Sequence, residues 1–140
     1  MKLLKVMEKK RSVREYKHKD VEKETLGKVE MLLDQVPEIS DKTEAELVLF
    51  YEGEEIYRKL DGIAGYNGLM IKAPHYAVVL TTDTEEAPLI GGYAGEWFSL
   101  NLSTLELGSC WIDMNFNEEK VKAALELDTK QRAIGLIAFG

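Results

Sequence analysis

The segment between residues 86 and 107 constrains the chain most, because its apolar residues fall on more than one side of a helix. One stripe at helical spacing consists of Leu89, Tyr93, Trp97 and Leu100, and a second of Phe98, Leu102 and Leu105. A helix that is apolar on several sides has to be covered on most of its surface. The pattern therefore predicts a long helix at the centre of a core or of a subunit interface.

The limits of this helix are marked by residues that commonly start and stop helices. Asp83 or Thr84 is expected to cap its N-terminus, and Pro88 lies near its start. Gly108 is expected to follow the last turn as the C′ glycine. The glycine-rich string at residues 91–95 superficially resembles a dinucleotide-binding fingerprint. Such a fingerprint lies between a strand and a helix, whereas this string lies inside the helix and has a different order of residues. We therefore interpret its small residues as a surface that lets another helix approach.

The other apolar patterns mix helices and strands without strict alternation. Helices are predicted over residues 2–10, 21–35, 54–61 and 118–127, and strands over residues 46–51, 76–81 and 133–139. The apolar face of the second helix is formed by Leu26, Val29, Met31, Leu32 and Leu33. Three glycines within residues 62–68 predict a loop with unusual backbone angles. The sequence thus predicts a single α+β domain over residues 1–140.

Composition limits the classes of protein to which the chain can belong. Hydrophobic residues make up 45% of its 140 residues, which is enough for a folded core. The 18 lysines and arginines face 25 aspartates and glutamates, so the net charge is −7 and nucleic acid is not expected as a partner. Since no stretch approaches the roughly 20 apolar residues of a membrane span, we expect a cytoplasmic protein without a membrane partner.

Cysteine and histidine, two residue types that often act in catalysis or metal binding, provide no clear site here. The single cysteine, Cys110, cannot form an intramolecular disulfide and is expected to be a small core residue. His18 lies among lysines and is expected to be solvated, while His75 precedes a core strand and is expected to make a structural hydrogen bond. Two histidines and one cysteine leave no obvious zinc site.

Positive charge is concentrated near the N-terminus. Residues 1–30 carry a net charge of +4, whereas residues 31–140 carry −11. Residues 9–14 place four cations and a serine hydroxyl within one short segment. Arginine presents a rigid fork of donors that suits phosphate or the polar edge of a planar heterocycle. The segment either binds an anionic ligand or forms a basic surface neutralised by the acidic remainder, and its residues alone favour neither alternative.

Four segments, taken in order along the chain, resemble the flavin-dependent nitroreductase family. Residues 10–16 resemble its opening signature of a basic pair, a serine, another basic residue and an aromatic residue. Residues 73–79 are similar to its Ala-Pro and central strand, and residues 92–112 to its long core helix and the Gly-Ser-Cys-Trp sequence that follows. Residues 133–140 are similar to its closing strand. The Gly-Tyr-x-Gly sequence at residues 65–68 is typical of the subgroup to which the chain looks closest.

The resemblance implies an α+β fold in which helices flank a mixed, mainly antiparallel sheet around a long central helix. It also implies a homodimer that binds FMN at the subunit interface. Such enzymes transfer electrons from NADH or NADPH to nitroaromatics, quinones or other small acceptors. Because the flavin performs the redox chemistry, no catalytic side chain is expected.

The resemblance also assigns cofactor-binding residues. The positions that contact the FMN phosphate, ribityl chain or pyrimidine edge are matched by Arg11, Ser12 and Arg14, with Lys10 at the first basic position. The segment that packs against the ring, where a backbone N–H reaches the flavin N5, is matched by Trp111, Ile112 and Asp113. A cation near the pyrimidine edge and a donor near N5 would tune the flavin potential.

The chain departs from the family pattern at three places. Residues 36–42 lack the asparagine of the family's Pro-Ser-x-x-Asn segment, and Glu106 replaces a glycine. The sequence also stops at Gly140, before the basic pair that usually grips the phosphate. These departures leave a second hypothesis open, namely a non-catalytic flavin- or nucleotide-binding relative that acts as a binding or storage module.

Overall fold

The computed structural model describes residues 2–140, with side chains from Leu3 onward. Its helices are α1 (Lys2–Lys9), α2 (Lys23–Leu32), α3 (Gly53–Leu60), α4 (Ala87–Thr104) and α5 (Glu118–Ala124), and the 3₁₀ turn Leu33–Gln35 continues α2. Its strands are β1 (Ala45–Phe50), β2 (His75–Thr81), β3 (Ser109–Ile112) and β4 (Arg132–Phe139). The sequence predicted each of these elements except β3. None of the helices within residues 2–140 has the length and apolar character needed to cross a membrane.

The four strands form an antiparallel sheet in the order β1-β2-β4-β3. Every residue of β2 is buried, as expected for an inner strand with a continuous apolar run. β1 and β3 are the edge strands. The expected mainly antiparallel sheet is thus confirmed, and the one parallel pairing found at it among the described residues is an isolated bridge from Ser12 to Ser109 at the start of β3.

The sheet separates two hydrophobic cores, because neighbouring strand residues point to opposite faces. On one face, Ala77 of β2 packs in a cluster with Phe98 of α4. On the other face, Val78 packs in a cluster with Leu60 of α3 and Val121 of α5. The long helix therefore covers one face and two shorter helices cover the other, which confirms the α+β class.

Within the described chain, α4 is buried on one side and open on the other. Phe98 and Leu102 face the sheet and are fully buried. Leu89 and Tyr93, from the first predicted stripe, are 73% and 49% exposed. The helix thus keeps an apolar face uncovered opposite its core face.

The C-terminal end of α4 differs from the prediction. The helix ends at Thr104, and Glu106 rather than Gly108 adopts the left-handed conformation, with a φ of 63°. The N–H of Leu107 donates to the Leu102 carbonyl at 3.0 Å, and the N–H of Glu106 donates to the Ser103 carbonyl at 3.0 Å. This pair of bonds is a Schellman motif, in which glycine is the usual residue at C′.

The N-terminal end of α4 also differs from the prediction. The cap residue is Glu86, whose side chain makes no capping bond, while Pro88 lies in the first turn as expected. Thr84 bonds the cap residue itself and not the first turn of the helix: its hydroxyl accepts a hydrogen bond from the Glu86 N–H at 3.2 Å. The threonine therefore shapes the turn that leads into the helix and does not cap it.

The small residues of α4 accommodate strand side chains at two positions. A Cβ built on Gly91 would lie 2.5 Å from Cγ1 of Ile134 in β4. At Gly91 and at Gly95, which a Trp111 ring atom approaches, the expected helix is replaced by strand side chains, whereas a Cβ on Gly92 would have nothing within 4 Å and the expectation stays a prediction there. Met31 of α2 is also exposed, because it lies two residues from the buried Val29 and hence on the opposite side of the helix.

Candidate functional site

The edge strand β3 directs part of its backbone away from the sheet. Gly108 and Gly140 exchange both backbone hydrogen bonds, at 2.8 and 3.1 Å. Residue pairs in an antiparallel ladder alternate between bonded and non-bonded types. The N–H and C=O groups of Ser109, Trp111 and Asp113 therefore face away from β4, toward the open edge.

Two segments cover the ends of this edge. The Val13 N–H donates to the Ser109 carbonyl at 3.0 Å, and the Gly65 N–H donates to the Asp113 carbonyl at 2.7 Å. Ser109 and Asp113 are about 14 Å apart along an extended strand, at about 3.4 Å per residue. The Trp111 N–H lies between them and faces an opening that has the basic segment at one end and the glycine loop (residues 62–68) at the other.

The basic segment sends its side chains to two sides. Lys10, Arg11 and Val13 line a cavity of about 420 Å³ between α1 and the end of α4. Ser12 and Arg14 do not line this cavity, and alternation along the extended segment directs them to its other side. The structure therefore divides the four predicted phosphate- and ring-binding residues into two pairs.

The cavity between α1 and α4 carries positive charge. Its charged lining residues are Lys5, Lys9, Lys10 and Arg11, with no carboxylate among the described residues that line it. The ion pairs found within residues 3–140 involve Arg58, Lys59, Lys122 and Arg132, and none involves the basic segment. Within residues 3–140, the cations of this cavity are thus free of carboxylate partners, and the binding of an anionic ligand stays a prediction.

Arg11 has a local partner as well. Its guanidinium lies 3.3 Å from the Lys10 carbonyl and 3.5 Å from the Lys9 carbonyl, at the C-terminal end of α1. The last carbonyls of a helix lack intrahelical donors, so a cation is favourable there. Arg11 thus has a structural role beside any contact with a ligand.

Trp111 is held against two glycines. A Cβ on Gly95 would lie 2.1 Å from its Cη2 atom, and a Cβ on Gly135 would lie 2.7 Å from its Cζ3 atom. The indole Nε1 donates to the Glu96 carboxylate at 3.1 Å. The side chain is therefore fixed on the α4 side of the sheet, and this fixes the direction of the Trp111 backbone at the open edge.

The far end of the basic segment is anchored by Tyr16. Its hydroxyl donates to the Val13 carbonyl at 2.5 Å. Burial raises the pKa of Tyr16 well above its ordinary value, and the nearby Cys110 and Tyr76 raise it further. The phenol therefore stays neutral and keeps its hydrogen bond across the physiological pH range.

At the other end of the edge, Ile112 and Asp113 have different environments. Ile112 is buried and pairs with Leu136 of β4, whereas the Asp113 side chain is exposed. Asp113 accepts a hydrogen bond from the Asn115 N–H at 2.8 Å. Asn115 in turn donates to the Gly65 carbonyl at 2.5 Å. Sequence reasoning missed this connection between distant segments, although the glycines of the loop and Asn115 were available as turn-forming signals.

The remaining candidate side chains lie where the sequence predicted. His75 is buried; its Nδ1–H donates to the Tyr51 carbonyl at 3.0 Å, and its Nε2 accepts from the Val21 N–H at 3.1 Å. The expected structural hydrogen bonding of His75 is thus confirmed. His18 is exposed and Cys110 is buried. The structural role of Cys110 stays a prediction.

Comparison with protein families adds a second kind of evidence. The sequence model of the family described as "Putative TM nitroreductase" matches residues 2–140. The chain belongs to the nitroreductase family. A search of curated proteins found no match. Membership in this family supports oxidoreductase activity.

Solved nitroreductase structures have the same fold. A "Putative NADH dehydrogenase/NAD(P)H nitroreductase" from Parabacteroides distasonis is 20% identical and has a TM-score of 0.82, with 100% of this chain and 86% of that chain covered. An FMN-dependent nitroreductase from Clostridium difficile is 25% identical and has a TM-score of 0.77, with 98% and 86% covered. A "Putative NADH Oxidase" from Clostridium acetobutylicum is 23% identical and has a TM-score of 0.76, with 96% and 86% covered. The nitroreductase-like fold expected from the sequence is confirmed.

Proposed function

We propose that this nitroreductase is an FMN-dependent oxidoreductase that passes electrons from NADH or NADPH to a small acceptor such as a nitroaromatic or a quinone. The observation that carries the proposal is the open edge of β3. There the Trp111 N–H faces an opening bordered by the segment that contains Ser12 and Arg14. The C. difficile relative, which is FMN-dependent by its description, supports the choice of cofactor.

The residues around this edge fit the groups of FMN. Arg14 and Ser12 supply donors suited to the ribityl chain or the pyrimidine edge, and Lys10 and Arg11, which line the cavity on the other side of the segment, supply cations suited to the phosphate. The outward N–H groups of Trp111 and Asp113 supply donors for the flavin N5. When bound, the flavin supplies the redox chemistry, while these residues bind it, orient it and stabilise negative charge at its pyrimidine edge.

We further propose that the protein is a homodimer formed through α4. Its face with Leu89 and Tyr93 is apolar and exposed, and α1 adds Leu4 and Met7, which are also exposed. Exposed apolar side chains clustered on neighbouring helices are typical of an interaction surface. A second copy would cover it and bring two sheet edges into one assembly.

One observation favours the second candidate, a binding or storage module without turnover. The cationic cavity between α1 and α4 would bind an anion whether or not electrons are transferred. The two functions differ in whether the FMN-loaded protein oxidises an electron donor. An oxidoreductase loaded with FMN oxidises NADH or NADPH in the presence of a quinone, whereas a storage module binds FMN and does not.

The deciding experiment loads the purified protein with FMN and follows two signals. Flavin fluorescence measures binding, and the loss of NADH or NADPH absorbance with and without menadione measures turnover. Binding with turnover supports the oxidoreductase, and binding without turnover supports the storage module. Absence of FMN binding by the full chain would refute both.

A further inference from the structure

The glycine loop is ordered by its own backbone hydrogen bonds. The Gly62 N–H donates to the Gly68 carbonyl at 2.8 Å, and the Gly68 N–H donates to the Gly65 carbonyl at 3.0 Å. These three glycines have φ values between 79° and 97°, which confirms the predicted unusual backbone. On either side of its tip, Ala64 and Met70 are buried in the core. The loop is therefore held in one conformation at both ends.

This ordered loop exposes large side chains that are mostly apolar. Tyr66 is 81% exposed and Leu69 is 72% exposed, and a hydrogen bond of 3.0 Å from the Leu69 N–H to the Tyr66 carbonyl holds them close in the same turn. Residues 62–71 contain no charged residue, in a chain whose residues are 31% charged. A fixed, uncharged surface of this kind suits contact with an uncharged ligand.

The loop is joined to the proposed flavin edge. Gly65 is bonded to Asp113 through its N–H, and its carbonyl accepts from Asn115. Asn117 adds a third link, because its Nδ2 donates to the Ile63 carbonyl at 2.8 Å. Tyr66 directly follows Gly65, so it stands beside the end of the opening that Trp111 faces.

We propose that Tyr66, with Leu69, is a specificity-determining contact for the electron acceptor. The inference rests on the proposed function and names the residue that selects among the acceptors of the same site. A tyrosine ring provides a flat face on which an aromatic acceptor stacks. A quinone or an uncharged nitroaromatic presents such a ring.

The surroundings of Tyr66 favour the acceptor over the electron donor. NADH and NADPH carry a pyrophosphate, which needs cations, whereas the side chains nearest the loop include the carboxylates of Asp61 and Asp113. The nearest lysine in sequence, Lys72, lies 5.1 Å over the ring of Tyr57. The phosphates of the electron donor are therefore expected to bind more favourably at the basic segment, at the opposite end of the edge.

The surroundings also favour the acceptor over a second copy of the chain. Ala64 and Met70, which anchor the loop, belong to the core beneath α3 and α5. The exposed stripe of α4 lies on the other side of the sheet, since α4 packs on the opposite core. Tyr66 is therefore not continuous with the face through which we propose that dimers form.

The test compares Tyr66→Ala and Tyr66→Phe with the wild type, all loaded with FMN. Ile39→Ala, a change at another exposed apolar residue, is the matched control. Without any electron donor, the oxidised proteins are titrated with menadione, and the change in flavin absorbance gives a Kd. Steady-state assays then give KM values for menadione, for ferricyanide as a charged non-aromatic acceptor, and for NADH.

We expect Tyr66→Ala to raise the Kd and KM for menadione about 2- to 13-fold, the factor that corresponds to a stacking contact. Tyr66→Phe should keep wild-type values, and the KM values for ferricyanide and NADH should not change. Equal menadione affinity in Tyr66→Ala and the wild type would overturn the inference while FMN binding and turnover stand. Dissociation of a dimer in Tyr66→Ala would overturn it too, by showing a subunit contact. Failure of the wild type to bind FMN would overturn the inference together with the proposed function.

Discussion

The hydroxyl oxygens of Ser99 and Ser109 lie 2.5 Å apart, and both side chains are fully buried. Ser99 is on α4 and Ser109 begins β3, so this hydrogen bond fixes the helix against the edge strand. The backbone of Ser109 also bridges Ser12. One buried pair thus connects the long helix, the edge strand and the basic segment.

Ser99→Ala is expected to destabilise the protein by about 1–3 kcal/mol, because it leaves the Ser109 hydroxyl buried without a partner. The double variant Ser99→Ala/Ser109→Ala should lose less than the sum of the two single changes, since both polar groups are then removed. Urea denaturation of the three variants measures these free energies. Additive losses would show that the two hydroxyls do not interact.

Glu106→Gly is expected to stabilise the protein by about 1 kcal/mol, because glycine adopts the left-handed C′ conformation without the penalty of a Cβ atom. Glu126 ends α5 in the same conformation, with a φ of 57°, so Glu126→Gly should give a similar gain. Glu106→Ala is the control, because it removes the carboxylate and keeps the Cβ. Thermal unfolding should rank glycine above both alanine and glutamate at position 106.

The sequence predicted β1 and both inner strands but missed the edge strand β3, for a physical reason. β2 and most of β4 are runs without charge, which only a buried strand explains well. β3 has four residues and directly follows α4, and Glu106 at C′ concealed the end of that helix, since glutamate is not a usual C′ residue. The prediction therefore continued the helix toward Gly108.

The candidate site, too, could be predicted from the sequence only in part. The basic segment could be found from charge and residue type within six consecutive residues. The contact of Gly65 with Asp113 could not, because it joins positions 48 residues apart through backbone groups that every residue possesses. The long helix was predicted as a core or interface element, and the structure shows that only Leu89 and Tyr93 of its first stripe are exposed, while Trp97 packs against the core.

Glu86 gives the protein a stability that depends on pH. Hydrogen bonds from Ser40 at 2.6 Å and Thr43 at 2.9 Å favour its charged form and hold its pKa below the ordinary value of 4.5. A carboxyl whose pKa is lower in the folded state contributes stability above its unfolded pKa and loses that contribution as the pH falls through the folded pKa. Glu86→Gln should therefore be less stable than the wild type at pH 7, and the difference should shrink below about pH 4.5.

The measurement is urea denaturation of the wild type and Glu86→Gln from pH 7 to pH 3. Glu85→Gln serves as the matched control, because Glu85 is the exposed neighbour in the chain. A difference in stability that stays constant with pH would mean that the carboxylate of Glu86 does not act through its charge.

The open face of α4 is expected to hold two subunits together. Leu89→Glu should convert a dimer into a monomer, because it introduces a charge into an apolar interface. Met31→Glu places the same charge on the exposed side of α2 and should leave the assembly unchanged. Light scattering at micromolar concentration measures the mass of each protein, and a monomeric wild type would contradict the proposed interface.

The basic segment is expected to provide most of the affinity for FMN. A hydrogen bond to a charged group contributes about 1.5–3 kcal/mol, so Arg14→Ala or Lys10→Ala should weaken FMN binding about 10- to 150-fold. Ser12→Ala removes a neutral hydroxyl and should weaken it less, by about 0.5–1.5 kcal/mol. Arg14→Lys should restore only part of the loss, because an ammonium group lacks the planar fork of donors.

Fluorescence titration of the apo-protein with FMN measures these affinities. Arg58→Ala is the control, because Arg58 is exposed on α3 and pairs with Glu54 of the same helix. Added salt should weaken binding to the wild type more than to Arg14→Ala, since screening acts on the charge that the variant has lost. If Arg14→Ala, Lys10→Ala and Arg58→Ala all bind FMN as the wild type does, the segment is a solvated basic surface and the cofactor is held elsewhere.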